Sequence, residues 1–527
     1  MKKPFAITLD PESSLANKTG SWRTERPVYI DRLPPCNHEC PAGEDIQGWL
    51  FQAESGDYQA AWRHLIRDNP FPAIMGRVCY HTCEGACNRA KLDTAVGINA
   101  VERFVGDEAL RQGWAFDAPD QPTGKTVLVV GAGPSGLSAA YHLRRRGHGV
   151  IVVEAGDKPG GMMRFGIPKY RLPRAVLDGE VARIAAMGVI FRYGEKVTDI
   201  AATMTAVGAD AAFLAIGAHI AKRAYIPAKD SARILDAVSV LRSMEGEDKP
   251  MLGRRVVVYG GGNTAIDVAR SARRLGATDA IIVYRRTRDK MPAHDFELEE
   301  ALEEGVRVKW LSTITGAEGG HLTLEKMVLD AAGKPQPTGE FETLDADSVV
   351  LALGQDVDMS LLAGISGLLT ADGVVQVDPA TMMTGHPGLF AGGDMAPGER
   401  NVTVAIGHGK RAAKHIDAWL RGMVPPTKGA QQLASYDHLN TWYYADAPKT
   451  VRPQLDLARR TSSFDEVQGG LTEATALFEA RRCLSCGNCF ECDNCYGVCP
   501  DNAVIKLGPG NRFAINLDYC KGCGICV

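Results

Sequence analysis

Two stretches of the chain repeat one hydrophobic pattern. Lys125–Val130 (KTVLVV) is a continuous bulky apolar run, as in a parallel strand buried on both faces. Gly131-Ala-Gly-Pro-Ser-Gly136 follows at once. A stretch rich in Ala, Leu and Arg then runs with helical spacing to Arg146 and closes at Gly147, before a second apolar run at Val150–Glu154. The pattern returns at Arg254–Tyr259 (RRVVVY), Gly260-Gly-Gly-Asn-Thr-Ala265, a helix to Leu275 and a strand at Ala280–Tyr284. Both are strand–turn–helix–strand units, and they lie about 130 residues apart. Strands resume at Ser348–Leu353 and Leu389–Ala391, so the second unit reads as an insertion into the first. The expected fold class is α/β with two nested Rossmann-like dinucleotide-binding domains.

Outside this region the pattern changes. Residues 1–118 are polar, punctuated by proline and helical in places, for example around Gly48–Arg67. From Val424 the chain turns Pro/Gly/Gln-rich (VPPTKGAQQ), a linker by composition. A helix is expected over Thr472–Arg482. The predicted domains are 1–118; 119–235 with 336–423; 236–335 as the insert; 424–481 as linker and helix; and 482–527.

The 527 residues exceed what one core supports and suggest roughly three or four domains. A net charge of −4 leaves no electrostatic footprint for nucleic acid or anionic membrane. The opening MKKPFAITLDPESS has no apolar signal core, and no segment approaches the ~20 apolar residues of a membrane helix. A cytoplasmic location is expected.

The glycine turns carry the first chemistry. Gly131 permits the tight turn, Gly133 lets backbone approach a pyrophosphate, and Gly136 lets helix pack on strand, with Pro134 and Ser135 opening the helix. Glu154, at the end of the second strand, is placed to accept from an adenosine ribose. The second unit, with Gly260, Gly262, Asn263, Thr264 and Ala265 at its turn, ends its second strand in Tyr284-Arg285-Arg286. A carboxylate there would repel a 2′-phosphate, whereas Arg285 and Arg286 would bind it. The first site therefore reads as FAD and the second as NADPH.

Gly160–Arg174 (GGMMRFGIPKYRLPR), Gly260–Asp267, Tyr284–Ala293, Ala352–Gln355, Leu389–Asp394 and Val404–Ile406 together resemble the glutamate synthase small-subunit family. That family includes the electron-entry part of dihydropyrimidine dehydrogenase, and the resemblance covers residues 36 to about 420. It implies flavin contacts from Gly161, Met162, Arg164, Ile167, Pro168, Arg174, Gly217, Gly354, Gln355, Gly393, Asp394, Val404 and Ala405. Thioredoxin reductase shares the two-nucleotide architecture but needs a redox CxxC, and no cysteine lies between Cys87 and Cys483. No acid or base is required for hydride transfer, and none is assigned.

All fourteen cysteines sit at the two ends, which suits metal ligation better than packing or a secreted disulfide framework. Cys36, Cys40, Cys79, Cys83 and Cys87 resemble the family's N-terminal cluster motifs. The two further cysteines normal there are replaced by Val28 and Asp31, so one of that family's two N-terminal clusters is short of ligands. The resemblance implies one N-terminal [4Fe–4S] cluster on Cys40, Cys79, Cys83 and Glu102, with Cys36 or Cys87 as alternative fourth ligands. At the other end Cys489, Cys492, Cys495 and Cys499-Pro500 form the bacterial ferredoxin run, and Cys520, Cys523 and Cys526 form a second. Zinc, the alternative for CxxC pairs, lacks that run. An α+β ferredoxin-like domain is expected. One of its clusters is complete on Cys499, Cys520, Cys523 and Cys526. The other lacks a fourth ligand, which would follow Val527 or come from Cys483 or Cys486.

The expected function is electron transfer from NADPH through FAD and iron–sulfur clusters, in either direction. The acceptor would be ferredoxin or a partner oxidoreductase of the 2-oxoacid:ferredoxin or glutamate synthase type, in a hetero-oligomer. The rival readings are a non-catalytic nucleotide-binding assembly subunit and a flavin-based bifurcating subunit.

Overall fold

The computed structural model describes residues 17–222, 226–229, 233–246, 248–424, 429–439, 441, 444–489, 491–508 and 510–527. Part of the Val424 linker sequence lies outside them.

The first sheet is wholly parallel. Its spatial order is Leu389–Ala391, Ala211–Leu214, Thr126–Val130, Gly149–Glu154 and Ile190–Tyr193. Its central strands are buried on both faces, which is why they read as unbroken apolar runs. Helices Pro134–Arg145 and Val402–Leu420 pack together, tied by Ser138 Oγ donating to Ile406 O at 2.9 Å.

The second sheet is also parallel, ordered Arg307–Trp310, Asp279–Tyr284, Arg255–Tyr259, Ser348–Leu351 and Arg233–Asp236. This corrects the expected boundaries. Arg233–Asp236 and Ser348–Leu351 flank the insert and belong to its sheet, so the insert is wider than 236–335. The antiparallel strands Ser312–Glu318, His321–Leu329 and Pro335–Asp345 form an appendage on it.

The N-terminal domain is helical, as expected. Ile46–Glu54, Tyr58–Leu65, Pro72–Val78 and Ile98–Arg111 enclose Trp49, Leu50, Trp62 and Val101. Asp45 and Asp57 cap the first two, accepting from Gly48 N at 3.2 Å and Ala60 N at 2.9 Å.

The region read as linker and helix contains the expected helix and makes buried polar contacts besides. Helix Glu473–Ala480, opened by a capping box at Thr472 and Thr475, buries Ala476 and Ala480 in the N-terminal core. Glu479, fully buried, accepts from Gly97 N at 2.6 Å and Thr450 N at 2.8 Å. Arg460 pairs with Glu303 and Glu304 of the second nucleotide domain. These polar contacts have no hydrophobic period, so composition hid them.

The C-terminal domain carries helix Asn494–Val498 and an antiparallel pair, Val504–Lys506 with Phe513–Ile515. The N-terminal arm is sewn onto it: Gly20 N donates to Asp518 O at 2.8 Å, Arg32 N to Gly487 O at 2.9 Å, and Arg512 pairs with Asp31 at 2.9 Å. Among the described residues no helix is long and apolar enough to cross a membrane.

Candidate functional site: a nucleotide cavity flanked by cysteine groups

One cavity of about 490 Å³ joins the two glycine turns. Gly131, Gly133, Pro134 and Ser135 line it from the first turn, and Glu154 from the strand beyond. Gly131 sits at φ +104°, and a Cβ there would stand 2.4 Å from Ala215 O. A Cβ on Gly133 would meet no atom closer than 3.9 Å, so the surface beside it is open to a ligand. Ser135 Oγ is buried without a hydrogen-bond partner at the start of helix Pro134–Arg145. An orphaned hydroxyl and free helix N–H groups facing an open cradle fit a pyrophosphate. Glu154 is held by Ala132 N at 2.7 Å and Gly156 N at 2.8 Å. Asp394 also lines the cavity, its carboxyl pushed up by burial.

Gly161, Met162, Ile167, Gly217, Gln355, Gly393 and Ala405 line the same cavity. Gly136, Pro168, Gly354 and Val404 do not. Two arginines depart further from expectation. Arg164 donates to Pro159 O and pairs with Asp178. Arg174 donates to the carbonyls of Leu172, Arg164 and Ile167 and pairs with Glu245. They brace the loop that presents Met162 and Ile167. Cavity residues missed in the sequence include Tyr80, Arg400 and Val402, which no glycine motif marks.

From the second turn, Asn263 and Thr264 reach the cavity. Asn263 Nδ2 donates to Tyr80 Oη at 2.7 Å, and its Oδ1 accepts from His294 N at 3.0 Å. Tyr80 stacks on His294 with ring centroids 3.6 Å apart. Gly260, Gly262 and Ala265 shape the turn behind. Arg285 is exposed and, like Arg286, makes no ion pair among the described residues. Arg286 Nε is buried and without a partner. Arg288, by contrast, is spent on Asp295 and Glu299.

Val78 and Tyr80 also line the cavity, and Cys79 lies between them in the sequence. Cys79 Sγ accepts from Thr403 Oγ1 at 3.2 Å and from His81 N at 3.2 Å. Burial and the nearby Glu102 and Glu44 push its thiol up to about 12. Cys40, Cys83 and Glu102 share that neighbourhood, with Cys79 and Glu102 beside Cys40 and with Cys79 and Cys40 beside Cys83. Glu102 is buried, accepts from Asn69 Nδ2 at 3.0 Å, and is raised by burial and by Glu44. The donor set expected from the resemblance is thus brought together.

Cys36 and Cys87 face elsewhere. They line a separate pocket with Cys483 and Cys486, and burial together with those three thiols raises Cys36. Their neighbours are thus Cys483 and Cys486 rather than the Cys40 group. In the C-terminal domain Cys499, Cys520, Cys523 and Cys526 line one pocket, the set the spacing predicted. Cys489, Cys492 and Cys495 are mutual neighbours, with Tyr29 Oη 3.9 Å from Cys495 Sγ. Among the described residues no three His, Cys, Asp or Glu side chains close on the position of a single ion. A four-iron cluster takes one ligand per iron around a cube and does not need such a chelate.

The profile of the family described as "Pyridine nucleotide-disulphide oxidoreductase" matches residues 125–409, more than half of the chain. The chain belongs to that family. A second profile, "Dihydropyrimidine dehydrogenase domain II, 4Fe-4S cluster", matches residues 23–114. The NADP(+)-dependent formate dehydrogenase subunit beta of Moorella thermoacetica is 35% identical over 86% of this chain and 70% of its own length. The NADPH-Fe(3+) oxidoreductase subunit beta of Geobacter sulfurreducens is 33% identical over 87% and 76%. The Glutamate synthase [NADPH] small chain of Escherichia coli is 32% identical over 73% and 89%. The resemblance to the glutamate synthase small chain, the nested Rossmann-like fold and the oxidoreductase assignment are borne out. Although the family is named for disulphides, this chain has no cysteine from residue 88 to 482. Its oxidoreductase domains therefore hold no dithiol.

Proposed function

We propose that this chain is an electron-entry subunit that oxidises NADPH, or reduces NADP, and exchanges single electrons with a partner through cysteine-held clusters. The observation that carries the reading is the position of Cys79. It lies between two residues of the nucleotide cavity and takes a hydrogen bond from Thr403, in the first turn of the helix that also lines that cavity. When bound, FAD accepts two electrons together and releases them singly.

The chain's own residues do the positioning. Gly131, Gly133 and Ser135 cradle the flavin pyrophosphate, and Glu154 takes the adenosine ribose. Asn263 and Thr264 bring the second nucleotide into the same cavity, while Arg285 and Arg286 read its 2′-phosphate. Cys40, Cys79, Cys83 and Glu102 hold the first cluster. Cys499, Cys520, Cys523 and Cys526 hold a cluster in the ferredoxin-like domain, where Cys492 and Cys523 reach the surface. That exposed end suits handover to a ferredoxin or to a catalytic subunit, and the relatives named as subunits support a hetero-oligomer.

The test is anaerobic titration of the purified chain with NADPH and NADH, following the visible flavin band. Bleaching by NADPH in preference to NADH is expected. An unchanged band would leave a non-catalytic assembly subunit as the better reading.

A further inference from the structure

Four cysteines outside the sites just described meet where the first hundred residues touch the last fifty. Cys36 stands in the first turn of helix Pro35–Glu39, and Cys87 precedes the turn Asn88–Lys91. Cys483 and Cys486 lie on the loop after helix Glu473–Ala480. All four line one pocket with Leu50, Val96, Ile98 and Leu484, and all four are free thiols. We propose that Cys36, Cys87, Cys483 and Cys486 together hold a [4Fe–4S] cluster, a composite site drawn from both ends of the chain.

The pocket is built for this. Four cysteines are the complete ligand complement of such a cluster. Two N–H groups already point at sulfur: Ser485 N donates to Cys483 Sγ at 3.4 Å and Asn88 Nδ2 to Cys486 Sγ at 3.5 Å. Asn88 is fixed by a second bond to Ala434 O at 2.7 Å. Hydrogen bonds to sulfur and an apolar wall are what stabilise and tune a cluster. Zinc, the other metal that four cysteines hold, is the alternative that the metal content of the purified chain separates.

The Cys483–Cys486 loop is held in place independently of any metal. Arg482, 2% exposed in its side chain, donates to Thr94 O at 2.6 Å, Ala95 O at 3.0 Å and Ala447 O at 3.0 Å, and pairs with Glu479 at 2.6 Å. On the other side Gly487 O accepts from Arg32 N. Gly487 sits at φ +87°, and a Cβ there would stand 2.4 Å from Arg32 O. Of the two positions where relatives of the resembling family carry cysteines, Asp31 pairs with Arg512 of the ferredoxin-like domain and Val28 is exposed. The two thiolates missing from the N-terminal motif are supplied by Cys483 and Cys486.

The site also bridges two others. Cys40, four residues and roughly 6 Å of helix rise from Cys36, belongs to the cluster beside the nucleotide cavity. Cys489, three residues after Cys486, opens the ferredoxin run. The composite cluster therefore stands between the flavin-side cluster and the C-terminal pair.

Anaerobically purified chain tests this by iron, acid-labile sulfide and zinc per flavin, with spectra of the reduced clusters. The Cys36→Ala/Cys87→Ala and Cys483→Ala/Cys486→Ala variants should each lose about four iron and four sulfide. Both should lose the same paramagnetic signal, and the quadruple variant should lose no more. Unchanged iron in the second pair, loss of zinc in place of iron, or loss of different signals from the two pairs would overturn the proposal. If the variants shed flavin and fail to fold, the Cys489→Ser/Cys492→Ser/Cys495→Ser chain decides: iron near about twelve per flavin supports a third cluster beside the Cys40 and Cys499 sets, and about eight or fewer sinks it. These readouts need no NADPH, so they stand or fall apart from the flavin-bleaching test.

Discussion

The hydroxyl of Thr403 donates to the sulfur of Cys79 across 3.2 Å, joining the helix that lines the nucleotide cavity to the nearest cysteine group. A hydrogen bond to a charged sulfur contributes about 1.5–3 kcal/mol and favours the more negative, reduced cluster. Thr403→Val should lower that cluster's potential and slow its reduction, while NADPH still bleaches the flavin at the normal rate. Stopped-flow absorbance with a redox titration checks both halves.

Arg285 is exposed and Arg286 carries an unpartnered Nε, which leaves both free to take a phosphate. Arg285→Ala and Arg286→Ala should each lower kcat/KM for NADPH roughly tenfold to a hundredfold, the loss of one charge-assisted contact. Activity with NADH should barely move. Arg288→Ala, which removes a side chain already bound to carboxylates, should have little effect on either.

His408 is buried, and its Nδ1 accepts from Gly393 N at 3.2 Å beside Asp394. Burial, with Arg411 adding, holds the imidazole down at about 4 against an ordinary 6.5. The folded state thus disfavours the proton. The stabilisation is complete above about 6.5 and is lost as pH falls toward about 4. Flavin release, followed by fluorescence, should rise across that window, and His408→Gln should flatten this part of the profile.

Arg482 and Glu479 are both buried and paired at 2.6 Å. Arg482→Met leaves Glu479 without its cation, a change that costs about 3–5 kcal/mol in such pairs. Thermal unfolding of the N-terminal module should fall accordingly, and protease should cut within residues 471–489 first.

Much of the nucleotide architecture was legible because the strand, turn and helix of each Rossmann unit are adjacent in sequence, each with its own period. Which sheet a buried apolar strand joins is not written locally. Ser348–Leu351 pairs with Arg255–Tyr259 and Arg233–Asp236, yet nothing in its four residues distinguishes that from a place beside Leu389–Ala391. Arg164 and Arg174 sit in the segment that the resemblance placed at the flavin, but their guanidinium groups are spent on loop carbonyls and on Asp178 and Glu245. The gathering of Cys499, Cys520, Cys523 and Cys526 around one pocket was readable from spacing, since all four lie within one small domain. The grouping of Cys36 and Cys87 with Cys483 and Cys486 spans some 400 residues, and no short motif encodes it.

The stitching of the two chain ends sets an order of events during synthesis. Gly97 N, the Thr94 carbonyl and the Cys36 pocket emerge from the ribosome long before Glu479, Arg482 and Cys483 exist to meet them. The N-terminal module can collapse early around Trp49 and Trp62, but one wall stays open until Glu479 and Arg482 have been made. The N-terminal module is therefore closed only after both nucleotide domains have been made, and a chain released before then leaves that seam exposed to whatever degrades incomplete proteins.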